Sequence, residues 1–363
     1  MIIDTTLREG LQTPGVYLDT KDRAELAARL ASSGILELEI GWSGRGQDLH
    51  GIVDAAQSRG ARAIVWSMAR RISLEEAARS GARGVTVCLP ASARHQEDRF
   101  GLDPTQTMEW LAETVAQAKE LFEFVQVGLE DASRAGRDAL TILARLAEAS
   151  GADRIRLADT VGIISPLEVA NLFRRTKERT RLPVAFHLHD DFGMATANAI
   201  AALESGAVAV DGALLGTGER AGISATEEIA AWAVLRRGER FDLRALRDAC
   251  LWFAARTGLV VSRSKPVVGA GLFEAESGIH TDAMGRNPSL YEPWDPARTG
   301  HERSSSVGAK SGRAAVLRKL RDMGIPEPAD IEGLVDEIRN VGERLRRPLR
   351  DSEIGALARV AAG

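Results

Sequence analysis

The sequence predicts an α/β protein in which a closed parallel (β/α)8 barrel is followed by a small, mostly helical appendage. Three observations carry this. Eight short apolar runs alternate with amphipathic stretches over about 235 residues of the 363-residue chain, close to the ~250 residues of an eight-fold TIM barrel. No Gly-x-Gly-x-x-Gly turn follows the first run, as a doubly wound nucleotide-binding sheet usually requires. Beyond residue 240 the alternation stops.

The elements follow in order. Ile2-Ile3 opens a buried strand, and Thr20 caps a helix with Ala24, Leu26, Ala27 and Leu30 in helical spacing, ended by Gly34. Strands at Ile35–Ile40, Ala63–Trp66 and Val85–Leu89 alternate with helices around Ile52–Ala56, Leu74–Ala78 and Thr105–Leu121. Phe124–Leu129, Ile155–Ala158, Val184–His189 and Val208–Leu214 complete the strands. Their helices lie near Asp138–Ala149, from Pro166 onward, at Ala195–Leu203 and at Ala225–Leu235, with Pro166 suited to a first helical turn. Three segments are expected: a barrel over 1–240, a linker and lid-like piece over 241–312, and a helical piece over 313–363. The second opens with a helix at 242–258, then turns rich in Gly, Ser and Pro. The third holds helices near 313–323 and 330–346.

Composition excludes several classes. Hydrophobic residues make up 44% and charged residues 27%, and 47 Lys+Arg against 51 Asp+Glu leave a net charge of −4, so no general nucleic-acid surface is expected. No run approaches the roughly 18 apolar residues of a membrane span, and the first residues lack the basic start and apolar stretch of a signal peptide. Cys88 and Cys250 form neither a disulfide framework nor a zinc-finger spacing and read as core residues. A reducing, cytoplasmic setting is expected.

Barrel enzymes carry chemistry at the C-terminal strand ends. Those ends hold Asp4, Arg8 and Glu9; Glu130 and Asp131; Asp159 and Thr160; His187 to Asp191; and Gly216 to Arg220. His187 and His189 are two apart on a strand, so both imidazoles face one side, where Glu9 completes a three-ligand site with open positions for a substrate. Arg8 fits either a cation facing developing negative charge or a salt bridge at the barrel mouth. Glu130 fits an acid/base or a capping carboxylate, Thr160 a substrate contact or a helix cap, and Glu219-Arg220 an ion pair fastening the barrel. Arg70, Ser92, Arg94 and His95, at the ends of the third and fourth strands, suit a second acidic group on a substrate.

These residues stand in motifs. Asp4-Thr5-Thr6-Leu7-Arg8-Glu9-Gly10-Leu11-Gln12 and the run His187 to Asn198 resemble the two signatures of the Claisen-condensing DRE-TIM metallolyases, the isopropylmalate, citramalate and homocitrate synthases. Glu130 to Arg134, Asp159 to Gly162 and Gly218 to Gly222 are similar to that family's intervening motifs, and Ser277 to His280, Tyr291 to Pro293 and Ser311 to Arg313 to its segment after the barrel. The likeness runs from residue 2 to about 320 and is nearest to homocitrate synthase.

The resemblance implies a divalent ion (Mg, Mn, Zn or Co) on Glu9, His187 and His189, and condensation of acetyl-CoA with a 2-oxo acid. It implies that Arg8, Gln12 and Thr160 contact the acceptor, that Arg8 stabilises the ketone oxygen, and that His280 is the catalytic base with Glu130 and Tyr291 in support. It further implies a homodimer whose appendage reaches the partner barrel. Four features depart from the family: Ile223 where many members have Asn, Arg-Glu-Gly for Arg-Asp-Gly, Gly308-Ala309-Lys310-Ser311-Gly312 for Gly-Lys-His-Ser-Gly, and no large regulatory domain after the barrel and appendage, so leucine feedback is not expected. The leading expectation is a homocitrate synthase-like enzyme acting on 2-oxoglutarate. An isopropylmalate-, citramalate- or phosphonopyruvate-type synthase is the alternative, then a carbon–carbon lyase of the hydroxymethylglutaryl-CoA type, then a non-catalytic metabolite sensor.

Overall fold

The structure, a computed structural model, describes residues 1–44, 48–275 and 287–361. Eight parallel strands close a barrel in chain order: β1 (Ile2–Asp4), β2 (Glu37–Trp42), β3 (Arg62–Met68), β4 (Gly84–Pro90), β5 (Phe124–Glu130), β6 (Arg154–Asp159), β7 (Val184–Leu188) and β8 (Ala209–Gly212). β1 pairs with both β2 and β8, so no edge remains. The helices between them are α1 (Thr20–Ser32), α2 (His50–Gln57), α3 (Arg71–Arg79), α4 (Pro104–Leu121), α5 (Arg137–Ala149), α6 (Pro166–Lys177) and α7 (Ala195–Ser205), with α8 (Thr226–Arg237) after β8. The expected barrel is present.

Local chemistry sets the boundaries. Asp19, rather than Thr20, caps α1: its carboxylate accepts from the Asp22 amide, where the helix dipole also favours an anion. Asp103 with Gln106, and Ser165 with Glu168, form reciprocal capping boxes with Pro104 and Pro166 in the first turns of α4 and α6. β7 ends one residue earlier than its apolar run suggests, and His189 instead makes an isolated antiparallel bridge with Ile223.

The chain divides into two compact units, Met1–Val261 and Ser262–Gly363. Helix α9 (Leu243–Thr257), capped by Asp242, buries Leu246, Ala249, Cys250 and Phe253 and belongs to the barrel unit. The second unit contains α10 (Arg313–Asp322), α11 (Ile331–Leu345) and α12 (Asp351–Ala361) around Val316, Leu320, Leu334, Val335, Ile338 and Ile354. Helix α12 was not expected from the sequence: it follows Pro348, and Ile354, Gly355 and Ala358 give its buried face only one large side chain.

The barrel interior explains how the mouth is supported. One apolar layer is small, Ile3, Ala185 and Ala209. Much of the remaining interior is polar: Arg154 pairs with Glu37 at 2.7 Å and hydrogen-bonds Gln126, whose amide donates to Thr86 Oγ1 at 3.1 Å. Branched apolar side chains normally fill these layers. Here a hydrogen-bonded charge network replaces them.

Candidate active site

The turn after β1 is wound on one acceptor, the Thr5 carbonyl, which receives the amides of Arg8, Glu9 and Gly10, and it delivers Arg8 and Glu9 to the mouth. Glu9, His187 and His189 are all buried, and one ligand atom from each lies within 4.8 Å of the others. Glu9 Oε2 is 3.9 Å from His187 Nε2, and the two imidazoles stand edge to face with centroids 5.0 Å apart. His187 Nδ1 lies 2.7 Å from Asp211 Oδ2 on β8. An ionised carboxylate only accepts, so Nδ1 carries the proton and the Nε2 lone pair faces the cluster.

Two imidazoles and a carboxylate form a donor set that suits a divalent transition-type ion, and three ligands leave open positions. The Nδ1 of His189 is buried and has no hydrogen-bond partner among the described residues, an arrangement unfavourable for a merely structural histidine. Burial alone would raise the Glu9 carboxyl, but Arg8, His187 and His189 outweigh it and hold it at about 2. Burial, reinforced by His187, lowers His189 to about 3, so its imidazole stays neutral and competent as a ligand.

A buried relay joins His187 to Glu9 through the barrel interior. Asp211 Oδ2 accepts from Arg156 at 2.8 Å, Arg156 donates to Glu39 Oε1 at 2.8 Å, Glu39 Oε2 accepts Arg8 Nε at 2.7 Å, and Arg8 pairs with Glu9. Glu39, although burial opposes it, is held well below the carboxylate range by Arg156 and Arg8. The sequence reading missed Glu39, Arg156 and Asp211. Their signal was present, since β2 reads Leu-Glu-Leu-Glu-Ile (residues 36–40) and β6 reads Arg-Ile-Arg-Leu (154–157), with charges at every second position of buried strands. Arg8 is salt-bridged to Glu9 and Glu39, as one of its expected readings has it, and it also lines the cavity.

That cavity, about 690 Å³, is lined by Arg8, Glu9, Gln12, Thr160, His187, His189 and Glu130 together with Trp42, Trp66, Met68, Cys88, Arg99, Arg156 and Glu219. Gln12 Oε1 accepts from Arg8 and its amide donates to Glu219. Thr160 Oγ1 accepts the Asp131 amide at 2.8 Å, which leaves its own proton for a ligand. Glu130 is held by Arg99 at 2.7 Å. Ser92 donates to Asp131 at 2.5 Å and supports that carboxylate, His95 stands 3.9 Å from both Glu130 and Asp131, beyond hydrogen-bond distance, and neither is among the residues lining the cavity. Arg70 and Arg94 are exposed and also lie outside the lining; Arg99, not singled out in the sequence, takes the cationic position there. Cys88 is on the cavity wall rather than in the core. Trp66 Nε1 lies 3.0 Å from its sulfur, and burial raises its thiol to about 11, so it lines the wall as a neutral group.

The loop between β8 and α8 completes the frame. Glu219 N donates to Glu9 Oε1 at 3.1 Å, and Gly218 packs so tightly on Glu9 that a Cβ there would stand 3.2 Å from its Cγ. Arg220 pairs bidentately with Asp191 at 2.9 Å and donates to the Thr160 carbonyl at 2.9 Å, so its ionic partner is Asp191 and not Glu219. Ile223 is buried and bridged through its backbone to His189, and it offers no ligand atom where many family members have Asn.

In the second unit, Tyr291 is half exposed. His280 lies outside the described residues. The Gly308–Gly312 turn is closed by Ser311, whose hydroxyl accepts the Gly308 amide at 2.9 Å and whose carbonyl accepts Arg339 of α11. Gly342 of the same helix allows that close approach.

The fold and site define an eight-stranded barrel enzyme whose mouth gathers a donor set suited to a divalent metal ion. Residues 1–250 match the HMGL-like family and residues 267–346 the homocitrate synthase post-HMGL domain-like family. The chain therefore belongs to the HMGL-like family, in its Claisen-condensing DRE-TIM branch, and is an acyltransferase. It is 34% identical to 2-isopropylmalate synthase 2 of Caldanaerobacter subterraneus over 97% of this chain and 93% of that protein. It is 33% identical to homocitrate synthase AksA of Methanopyrus kandleri (99% and 91%) and 32% identical to (R)-citramalate synthase CimA of Methanocaldococcus jannaschii (100% and 74%). The crystal structure of the HMG-CoA lyase from Brucella melitensis shares the fold with a TM-score of 0.63 at 21% identity, covering 71% of this chain and 98% of that one. No helix among the described residues is long and apolar enough to cross a membrane.

Proposed function

We propose that this enzyme condenses acetyl-CoA with a 2-oxo acid in the manner of a homocitrate synthase: the acetyl methyl carbon bonds to the ketone carbon of 2-oxoglutarate, and water then cleaves the thioester to give homocitrate and free CoA. The observation that carries the reading is the convergence of Glu9, His187 and His189 in one cavity with the buried cation Arg8. Glu9, His187 and His189 would hold a divalent ion, which would supply Lewis-acid polarisation of the acceptor ketone. Arg8, locked by Glu39, presents a fixed positive charge to the oxygen as it becomes negative, which lowers the barrier without reorganisation. The Thr160 hydroxyl donates to the acceptor carboxylate, and Gln12 flanks it. Arg99, on the wall beside Glu130, meets the distal carboxylate. We assign removal of the methyl proton of acetyl-CoA to His280, supported by Tyr291 and Glu130, on the strength of the motif likeness, and with it a homodimer whose appendage serves the partner barrel.

One observation favours a second reading. The wall formed by Trp42, Trp66, Met68 and Cys88 is largely apolar and suits the smaller or branched acceptors of citramalate and isopropylmalate synthases. The deciding assay follows free CoA thiol from metal-loaded protein supplied with acetyl-CoA and a panel of 2-oxo acids. Release with 2-oxoglutarate is expected. Release confined to pyruvate, 2-oxoisovalerate or phosphonopyruvate moves the assignment to the second reading, and cleavage of hydroxymethylglutaryl-CoA without any condensation replaces both with a lyase.

A further inference from the structure

Beside the active cavity lies a second hollow of about 470 Å³, lined by Ser133, Arg137, Ile163, Glu168, Arg174 and Arg175, among others, and running between α5 and α6. It begins where the active-site rim ends. Glu130 and Thr160 line the active cavity, and Ser133 and Ile163, each three residues further on, line the hollow, a chain distance of at most ~11 Å. Glu168, Asn171, Leu172 and Arg175 recur at i, i+3, i+4 and i+7, so one face of α6 forms its wall over about 10 Å of helix.

The charge in this hollow is unbalanced. Arg137, Arg174 and Arg175 face a single lining carboxylate, Glu168, which is already engaged by Ser165 through its amide at 2.9 Å and its hydroxyl at 2.6 Å. Asp138 is in the first turn of α5 but does not line the hollow. Among the described residues Arg137 and Arg175 have no carboxylate partner, and Arg174 is held only by Asn171 at 2.6 Å. Two further features face the rim end: α5 starts at Gly136 with no side-chain cap, and Ser133 Oγ is buried without a hydrogen-bond partner among the described residues.

We propose that this hollow binds the phosphates of the acyl-CoA nucleotide. The inference rests on the reading of acetyl-CoA as co-substrate. Arg137 and the uncapped start of α5 form one cationic station near the rim, and Arg174 with Arg175, about two turns along α6 from Glu168, a second. A ligand carrying phosphate at two positions on one sugar would engage both stations, with the 5′-diphosphate at Arg137 and the 3′-phosphate at Arg174 and Arg175. Its pantetheine arm then passes over the Glu130 and Thr160 rim to bring the thioester to Arg8. A lone inorganic phosphate would use only one station.

The test measures binding by calorimetry, independent of turnover, with CoA, dephospho-CoA, pantetheine and inorganic phosphate as probes on the full chain. The R174Q/R175Q variant should bind CoA at least tenfold more weakly and dephospho-CoA as the parent does. R137Q should weaken both, and neither variant should change pantetheine binding. Glutamine keeps helix propensity, and unchanged melting temperatures would exclude a folding effect. Parent-like CoA affinity in both variants, or equal loss of pantetheine affinity, overturns the proposal while leaving the condensation reading intact. Absence of CoA binding to the parent protein removes both. Phosphate binding that saturating CoA does not displace identifies an effector site and overturns the coenzyme assignment.

Discussion

At the scale of single residues, the candidate metal ligands rest on a hydrogen-bonded network behind them. Asp211 fixes which nitrogen of His187 is protonated, and it is itself held by Arg156, so the ligand's lone pair is aimed before any ion arrives. Asp211→Asn keeps the shape but replaces a carboxylate by an amide that can equally well present N–H to the ring. Metal affinity should fall about 10- to 100-fold, measured by titration against a competing chelator. Undiminished affinity would show that Asp211 serves only the barrel interior. The sequence made His187, His189 and Glu9 legible because their spacing and strand-end position are local properties. Asp211 was not legible, because its role depends on the β7–β8 register, which brings two strands 24 positions apart into contact.

At the scale of elements, the β8–α8 loop has a tightly specified geometry. It contains Leu215, Gly216, Arg220 and Gly222 at positive φ, and a Cβ at Gly222 would stand 1.9 Å from the Gly216 carbonyl oxygen. Gly222→Ala must therefore both strain the backbone, by about 1–3 kcal/mol, and push the loop away from the Glu219 to Glu9 hydrogen bond. Lower melting temperature together with weakened metal binding is the expected result; a variant with parental values for both would show that the loop does not hold Glu9. Element identity was legible for all eight strands and their helices, because period-2 and period-3.6 patterns survive in buried parallel strands and amphipathic helices. Helix α12 and the active-site wall from Trp42 to Cys88 were not: the former has one large buried side chain, and the latter is assembled by barrel closure from strands that show no chemistry singly.

At the scale of the whole molecule, the buried titrating groups set an acid response whose terms oppose one another. Burial, outweighing hydrogen bonds from Thr226 and Thr6, raises Asp4 to about 6, so between about pH 4 and 6 the folded state holds a proton that the unfolded chain releases, and acidification stabilises the fold. His189 has the opposite sign: neutral in the fold down to about 3, it is protonated in the unfolded chain below about 6.5, so acidification destabilises. Each contributes about 1.4 kcal/mol per pH unit, and between pH 6 and 4.5 they nearly cancel. Below about 4.5 the unfolded chain protonates the counterparts of Glu9 and Glu39, both depressed in the fold, and three groups then act in one direction. Metal-free protein should therefore show a near-constant melting temperature from pH 6 to 4.5 and a steep fall below. His189→Gln should turn the plateau into a rise on acidification, and Asp4→Asn should turn it into a decline, both read from thermal melts in chelator. A plateau unchanged in both variants would mean that neither group titrates as its burial dictates. Bound metal adds a term of its own, since Glu9, His187 and His189 must all be deprotonated to hold the ion, so the loaded enzyme should lose its metal-dependent stabilisation as the pH is lowered.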